Sequence, residues 1–232
     1  MNSTIYLIPS VLDEAATQTI PLYIIDAVKN CQVIFAENER TARRFLKSIC
    51  KEIVIDDYEW FTIHKAEEEL IAAFKQKIKE EKNIAIISEA GCPGIADPGQ
   101  ILIAAAQQLD AIVKPLVGPS SILLALMASG MNGQQFEFVG YLPIDNMERV
   151  KRIKELELSS EKNNSTKIFI ETPYRNNQLI ETILKNCKAA TKFCIAAELT
   201  GINEYVKTKT IAEWRKEKTD FHKKPVIFLL QG

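Results

Sequence analysis

Five short runs rich in β-branched residues punctuate the first half of the chain, and nearly all are separated by stretches with helical periodicity. The runs are "TIYLIP", "QVIFAE", "EIVID", "IAIIS" and "IVKPLV". Near-continuous Val and Ile runs suit strands covered on both faces, the condition of a mostly parallel sheet sandwiched by helices. Helical patterns occupy residues 17–29, 39–50, 64–82 and 98–109. The first half therefore reads as an α/β domain over residues 1–116.

After "VGPSS" the texture changes, which places the seam at residues 116–119 and a second domain over 117–232. A helix in "SSILLALMASG" leads to a strand in "QFEFVGYLP", then to a charged helix over 146–158. "SSEKNNST" reads as a polar loop. The strand "KIFIE", a helix over 174–187, the strand "KFCIAAE" and two closing strands around Tyr205 and "PVIFLL" follow. The fold class is α/β, in two domains of similar size. A chain of 232 residues is long enough for each to bury a core.

Charge is unevenly shared. Residues 1–146 carry 12 Lys and Arg against 19 Asp and Glu, a formal charge of -7, and residues 147–232 carry 17 against 11, or +6. A basic second part suits an anionic partner, and equally a solvated lysine-rich surface. The five cysteines form no CxxC pair, and both His residues stand apart, so no metal site is expected. The N-terminus lacks the basic start and long apolar core of a secretion signal, and no segment is long enough to span a membrane. A cytoplasmic protein is expected.

Three loops, each following a strand, are candidates to hold a ligand. In open α/β sheets ligands settle outside the carboxyl ends of strands. The first loop is "IPSVLDEA", beginning at Pro9. The second is "SEAGCPGIADPG", with glycines at 91, 94 and 99 that let the backbone turn tightly or approach a ligand. Within it, Asp97-Pro98 reads as the cap and first residue of a helix. The third is "GPSSILLAL", where Ser120 and Ser121 offer hydroxyls. No GxGxxG occurs, which disfavours a dinucleotide-binding Rossmann domain.

Taken in order, "TIYLIPS", "VIFAENERT", "IAIISEAGCPGIADPG", "PLVGPSSILLALMASG", "FEFVGYLP", "IFIETPYR", "AAELT" and "PVIFLLQG" resemble the tetrapyrrole methylase family of S-adenosylmethionine-dependent methyltransferases, across nearly the whole chain. The resemblance is strongest to its RNA-modifying branch, which 2′-O-methylates a cytidine ribose of 16S rRNA. It implies two α/β domains with the cofactor, S-adenosyl-L-methionine, in a cleft between them. Carried over by position, cofactor contacts would come from Pro9, Ser88, Ala90, Gly91, Cys92, Pro93, Ile95, Ser120, Ser121, Glu171, Leu199, Thr200, Pro225 and Val226. The partner would be 16S rRNA or the small ribosomal subunit, and a homodimer is implied.

The chain departs from that branch at several places, among them "EWFTIHKAEEE", which is only loosely alike. It has "PSVLDEA" where a glycine and asparagine usually follow the proline, "ENER" for Glu-Asp-Thr-Arg, and Glu89-Ala90-Gly91-Cys92-Pro93 for Asp-Ala-Gly-Thr-Pro. Methyl transfer needs aligned reactants and no covalent nucleophile. Candidates to take or orient the acceptor's proton are Glu37, Arg40 and Glu89, with Arg40 better suited to a phosphate. Tyr174 and Arg175 suit RNA by stacking and pairing, and His64 reads as a surface helix residue. Methylation of a small molecule such as a tetrapyrrole, or binding without transfer, stand as the alternatives.

Overall fold

A computed structural model describes residues 3–63 and 67–232. The expected helix start at residue 64, and His64 with it, lie outside the described residues. The chain divides into two units, Met1–Ser120 and Ser121–Gly232.

In the first unit, β1 (Thr4–Ile8), β2 (Val33–Ala36), β3 (Glu59–Thr62), β4 (Ile84–Ile87) and β5 (Ile112–Pro115) form one sheet in the order β3-β2-β4-β1-β5. Every pairing in it is parallel. Alternation of side chains sorts the apolar residues to two faces. Ile8, Ile34, Ala36, Ala85 and Ile87 pack against α1 (Tyr23–Lys29) and α2 (Glu39–Ile49). Ile5, Val33, Phe35, Ile84 and Ile86 pack against α3 (Glu67–Lys79) and α4 (Gln100–Gln108). Strands buried on both faces explain why they read as unbroken apolar runs rather than as alternating ones.

The third strand is not at "EIVID". Ile55–Asp57 forms a 3-10 turn, with Val54 exposed. The Trp60 indole N–H donates to Ile55 O at 3.0 Å, folding that segment back. Pairing falls instead on Glu59–Thr62, where Phe61 stacks on Phe35 with centroids 4.6 Å apart. The pattern expected to be one helix over 17–29 is split, with a short 3-10 turn at Thr17–Thr19 and α1 starting after Pro21. Proline fixes its own φ and lacks an N–H, so it belongs at a helix start and not inside one.

In the second unit β6 (Phe136–Tyr141), β7 (Thr166–Ile170), β8 (Lys192–Ala197), β9 (Tyr205–Thr210) and β10 (Val226–Gln231) are ordered β6-β7-β10-β8-β9. Only β6 and β7 run parallel; β10 lies antiparallel between β7 and β8. One face packs on α6 (Asn146–Asn163), α7 (Asn176–Asn186) and α8 (Ile211–Trp214). α5 (Ser121–Ser129) lies against β8, β9 and β10, and the Thr208 hydroxyl donates to Ser129 O at 2.7 Å. The segment "SSEKNNST" is not a loop throughout, since α6 runs on to Asn163 and ends with Asn164 left-handed at φ 47°. Ser160 is fully buried and donates to Ser165 O at 2.6 Å, which turns the chain directly into β7.

Phe228 is fully buried at the centre of this core. It stacks on Phe169 and on Phe193, which in turn meets Trp214 edge-on. Phe228→Ala is expected to cost about 3–5 kcal/mol, read as a fall in the urea midpoint. A shift near zero would mean that this aromatic column does not carry the second core.

Candidate functional site

The chain leaves β1 toward the α1–α2 face and leaves β4 toward the α3–α4 face, although the two strands are neighbours. Connections that part in this way open a crevice at the carboxyl edge of a sheet. Here the crevice is held by backbone. Ser10 and Gly91 exchange N–H···O bonds of 2.8 and 3.2 Å, and the Ser10 hydroxyl donates to Ser88 O at 2.8 Å. The Ser88 hydroxyl, itself buried, lies 3.1 Å from Gly91 O. Gly91 has φ +77°, and a Cβ there would meet Leu12 and Pro119 O at 3.4 and 3.5 Å. Left-handed backbone beside packed neighbours explains the glycine.

The loop after β5 joins the same edge. A Cβ on Gly118 would fall 2.1 Å from the Pro9 ring, so only glycine lets the two loops meet. The Cys92 thiol is 3.5 Å from Pro119 O, and burial first, then the Asp97 charge, pushes its pKa up. It is a half-buried packing group rather than a thiolate. Pro9 and Pro93 are buried, Ala90 and Ile95 are exposed, and Ser120 is half-buried.

Asp97 does not cap a helix at Pro98. Its Oδ1 accepts from the N–H groups of Gly94 and Gly99, both at 2.8 Å, while α4 starts two residues later at Gln100. The carboxylate ties the loop to itself. Burial raises its pKa, opposed by those two hydrogen bonds.

The loop after β2 completes the edge. Glu37 Oε2 accepts from the Glu89 N–H at 2.8 Å, and the Asn38 amide reaches Glu89 Oε1 at 3.5 Å. Burial raises the Glu37 pKa, the bond from Glu89 N–H lowers it, and the charges of Asp97 and Glu89 raise it further. Glu89 and Arg40 are exposed, Arg40 in the first turn of α2.

In the second unit the matching edge joins the ends of β7 and β8 to the start of β10. Register aligns Ile170 with Ile227 and Ala197 with Val226, so Glu171 emerges beside Val226. The Glu171 side chain is fully buried. Its Oε1 accepts from Arg175 Nε and Nη2 at 3.0 and 2.6 Å and from the Thr172 N–H at 2.6 Å. Its Oε2 is buried with no partner, as is Thr200 Oγ1. Glu198 and Thr200 are both left-handed, at φ 51° and 69°. For a β-branched residue this is unusual and costs about 1–3 kcal/mol. Leu199 and Val226 are buried, Pro225 is exposed and its carbonyl accepts from the Glu198 N–H at 3.0 Å, and Ser121 opens α5.

Tyr174 is 69% exposed. His222 meets its ring edge-on at 5.8 Å between centroids, and the Lys223 ammonium lies 5.7 Å from its centroid. Arg175 is committed to Glu171. The loop carrying His222 and Lys223 is pinned by buried Asn176, which donates to Phe221 O and Lys224 O at 3.0 and 2.8 Å. Sequence reading missed Ser10, Asn176 and the loop-tying role of Asp97. Asn at a helix start reads as an ordinary cap, so nothing in the sequence distinguished Asn176 as a residue that binds backbone elsewhere. Among the described residues no three His, Cys, Asp or Glu are placed to hold a metal ion, and no helix is long and apolar enough to cross a membrane.

Two α/β units with polar and glycine-rich loops gathered at sheet edges define a ligand-binding enzyme fold that is not a dinucleotide-binding Rossmann domain. The family model "Tetrapyrrole (Corrin/Porphyrin) Methylases" matches residues 16–214, and the chain belongs to this family of methyltransferases. Among curated relatives, "Ribosomal RNA small subunit methyltransferase I" of Buchnera aphidicola subsp. Schizaphis graminum is 29% identical over all of this chain and 80% of its own length. The Bacillus subtilis protein of that name is 29% identical over 92% of this chain and 70% of its own. The Vibrio cholerae one is 31% identical over 74% of this chain and 60% of its own. Two solved structures share the fold: the methyltransferase CobJ, at TM-score 0.65, 13% identity and coverage of 100% of this chain and 95% of its own, and a uroporphyrin-III-C-methyltransferase of Thermus thermophilus, at TM-score 0.56, 14% identity and coverage of 100% and 93%.

Both Glu37 and Asp97 are expected to titrate above their ordinary values of 4.5 and 3.8. A raised carboxyl favours the folded state most below its unfolded pKa, and that contribution is lost as pH rises through the folded value. Carboxyl ¹³C titration checks this. Asp97→Asn should move the Glu37 midpoint down, because one neighbouring negative charge is gone. An unmoved midpoint would mean that the two carboxyls do not share one edge.

Proposed function

We propose that this methyltransferase uses S-adenosyl-L-methionine and methylates a cytidine 2′-hydroxyl in 16S rRNA. The observation that carries the reading is that the curated relatives cited above, two of them aligned over more than nine-tenths of this chain, bear the name ribosomal RNA small subunit methyltransferase I. The residues fit the donor. Its ammonium, amine and ribose hydroxyls need hydrogen-bond partners, and Glu171 Oε2 and Thr200 Oγ1 are buried polar atoms without one. The left-handed backbone at Gly91 is one that L side chains rarely adopt, and a Cβ there would lie against Leu12 and Pro119 O.

When bound, the donor would supply an electrophilic methyl on a sulfonium. The remaining work falls to this chain. Ser88, Gly91, Cys92 and Pro93 form the rigid rim on which the donor is held, with Pro9, Ala90, Ile95, Ser120 and Ser121 beside them. Within the second unit, Glu171, Leu199, Thr200, Pro225 and Val226 gather where β7 and β8 end and β10 begins, a set suited to polar and apolar parts of the same donor. Glu37 and Glu89 are the carboxylates that can accept the proton leaving the acceptor hydroxyl as the methyl–oxygen bond forms. Arg40 is suited to a phosphate, and the exposed Tyr174 ring, flanked by Lys223, to a stacked base. Arg175 acts by fixing Glu171. The enzyme is expected to work in the cytoplasm as a homodimer.

The test mixes the protein with methyl-labelled S-adenosylmethionine and small ribosomal subunits from a strain lacking its gene. Label should appear in 16S rRNA at a ribose that resists alkaline cleavage. Label found only in the small-molecule fraction of the same lysate would overturn the RNA reading. Gly91→Val, which forces a β-branched residue into left-handed backbone, should weaken donor binding about tenfold or more. Isothermal titration with S-adenosylhomocysteine reads that loss.

A further inference from the structure

A cavity of about 260 Å³ lies beside the glycine-rich loop, wholly within the first unit. Thr41, Arg44, Phe45 and Ser48, spaced to share one face of α2, form one side of it, and Leu12 and Glu14 of the β1 loop form another. Glu89 and Ala90 close the third side. They directly precede Gly91, whose backbone is bonded to Ser10. Whatever occupies this cavity therefore abuts the loop assigned to the methyl donor.

We propose that the cavity receives one nucleotide of the RNA substrate, an inference that rests on the rRNA reading above. Three features select this occupant. The floor is apolar, formed by Leu12 and the nearly buried ring of Phe45, and suits a base. Thr41 and Ser48 line its α2 side, the Ser48 hydroxyl donating to Phe45 O at 2.7 Å and left to accept from a base edge or a sugar. At the exposed rim sits one guanidinium, that of Arg44, the group that grips phosphate in fork geometry. The volume falls just below the roughly 300–1,000 Å³ of sites for drug-sized ligands. It suits a single nucleoside and excludes a tetrapyrrole macrocycle. Enzymes that modify one nucleotide within a longer strand commonly extrude it into such a pocket.

Arg44 is not idle in the free protein. Glu14 Oε1 lies 3.2 Å from its Nη1, with both side chains largely in solvent. An incoming phosphate must displace that carboxylate, so Glu14 and Arg44 have opposite effects on nucleotide binding. A merely structural ion pair would not behave in this way, because loss of either partner would act in the same direction.

Cytidine 5′-monophosphate is titrated into the full chain saturated with S-adenosylhomocysteine. Glu14→Gln should tighten binding about two- to fivefold, Arg44→Gln should weaken it about tenfold, and Ser48→Trp, an exposed position, should abolish it by filling the space. Affinity for S-adenosylhomocysteine should stay unchanged in all three. Absence of nucleotide binding, or the same change from Glu14→Gln and Arg44→Gln, would overturn the inference. So would a parallel loss of S-adenosylhomocysteine affinity, or uroporphyrin binding that Ser48→Trp removes. Labelling of 16S rRNA by the wild-type protein decides the underlying reading separately. Label in rRNA without the expected nucleotide response sinks the pocket alone. The expected response without label in rRNA keeps the nucleotide pocket and sinks the 16S assignment.

Discussion

Neighbouring strands β1 and β4 send their outgoing chains to opposite faces of the same sheet, and without a tie the carboxyl edge between them would gape. The pair of backbone hydrogen bonds between Ser10 and Gly91 supplies that tie. It works only because Gly91 is left-handed, and it is braced by the Ser10 hydroxyl on Ser88 O and by Pro9 filling the space beside Gly118. Two further loops then lean on the braced pair. Cys92 meets the carbonyls of the β5 loop, and Glu37 of the β2 loop fixes the Glu89 N–H. One switch point in the topology thus accounts for the placement of Pro9, Ser88, Gly91, Cys92, Glu37 and Glu89.

The second unit meets a comparable demand by other means. Inserting β10 antiparallel between β7 and β8 brings the ends of two strands and the start of a third to one edge. The backbone there is strained rather than glycine-rich, with Glu198, Thr200 and Lys223 all left-handed. Such conformations persist only where surrounding bonds enforce them. The Glu204 carboxylate on the Thr200 N–H, the Lys224–Glu198 ion pair and the Pro173 carbonyl on the Lys223 N–H are those bonds. Strain and two unpartnered buried oxygens therefore share one sheet edge, the arrangement on which the proposed donor contacts of this unit rest.

The sequence made the layered α/β architecture plain because burial on both faces of a strand produces a run that nothing else resembles. Its failures have local causes. "EIVID" has strand composition, yet the Trp60 indole bonded to Ile55 O turns it back, and the true strand begins at a charged residue, Glu59. "SSEKNNST" has loop composition, yet a buried Ser160 carries the helix through most of it. Asp97-Pro98 has the form of a helix cap, but the carboxylate is drawn to two glycine amides inside the loop. In each case one or two short-range side-chain hydrogen bonds outweighed a propensity of a few tenths of a kcal/mol. The glycine-rich loop was legible because positive φ leaves a mark in residue choice. The buried ion pair of Glu171 with Arg175 was not, since only the fold shows that the arginine is already engaged.

That engagement bears on how the carboxylates divide their labour. Glu171 has Oε2 alone left for a further partner, because Arg175 and the Thr172 amide saturate Oε1. Glu37 is similarly half-committed, with Oε2 given to the Glu89 N–H and Oε1 left over. A proton accepted at Glu37 Oε1 leaves the loop bond in place but makes it neutral and weaker. On the proposed reading, the group that can take the acceptor's proton is the same group that steadies the glycine-rich loop, and its raised pKa brings the two duties closer to conflict. Glu89 escapes that conflict. Its side chain is exposed, and its backbone N–H rather than its carboxylate holds the loop to Glu37. On that reading, proton uptake by Glu89 leaves the loop intact, whereas uptake by Glu37 loosens it, and a reaction that depends on alignment more than on acid–base strength would favour the arrangement that keeps the loop still.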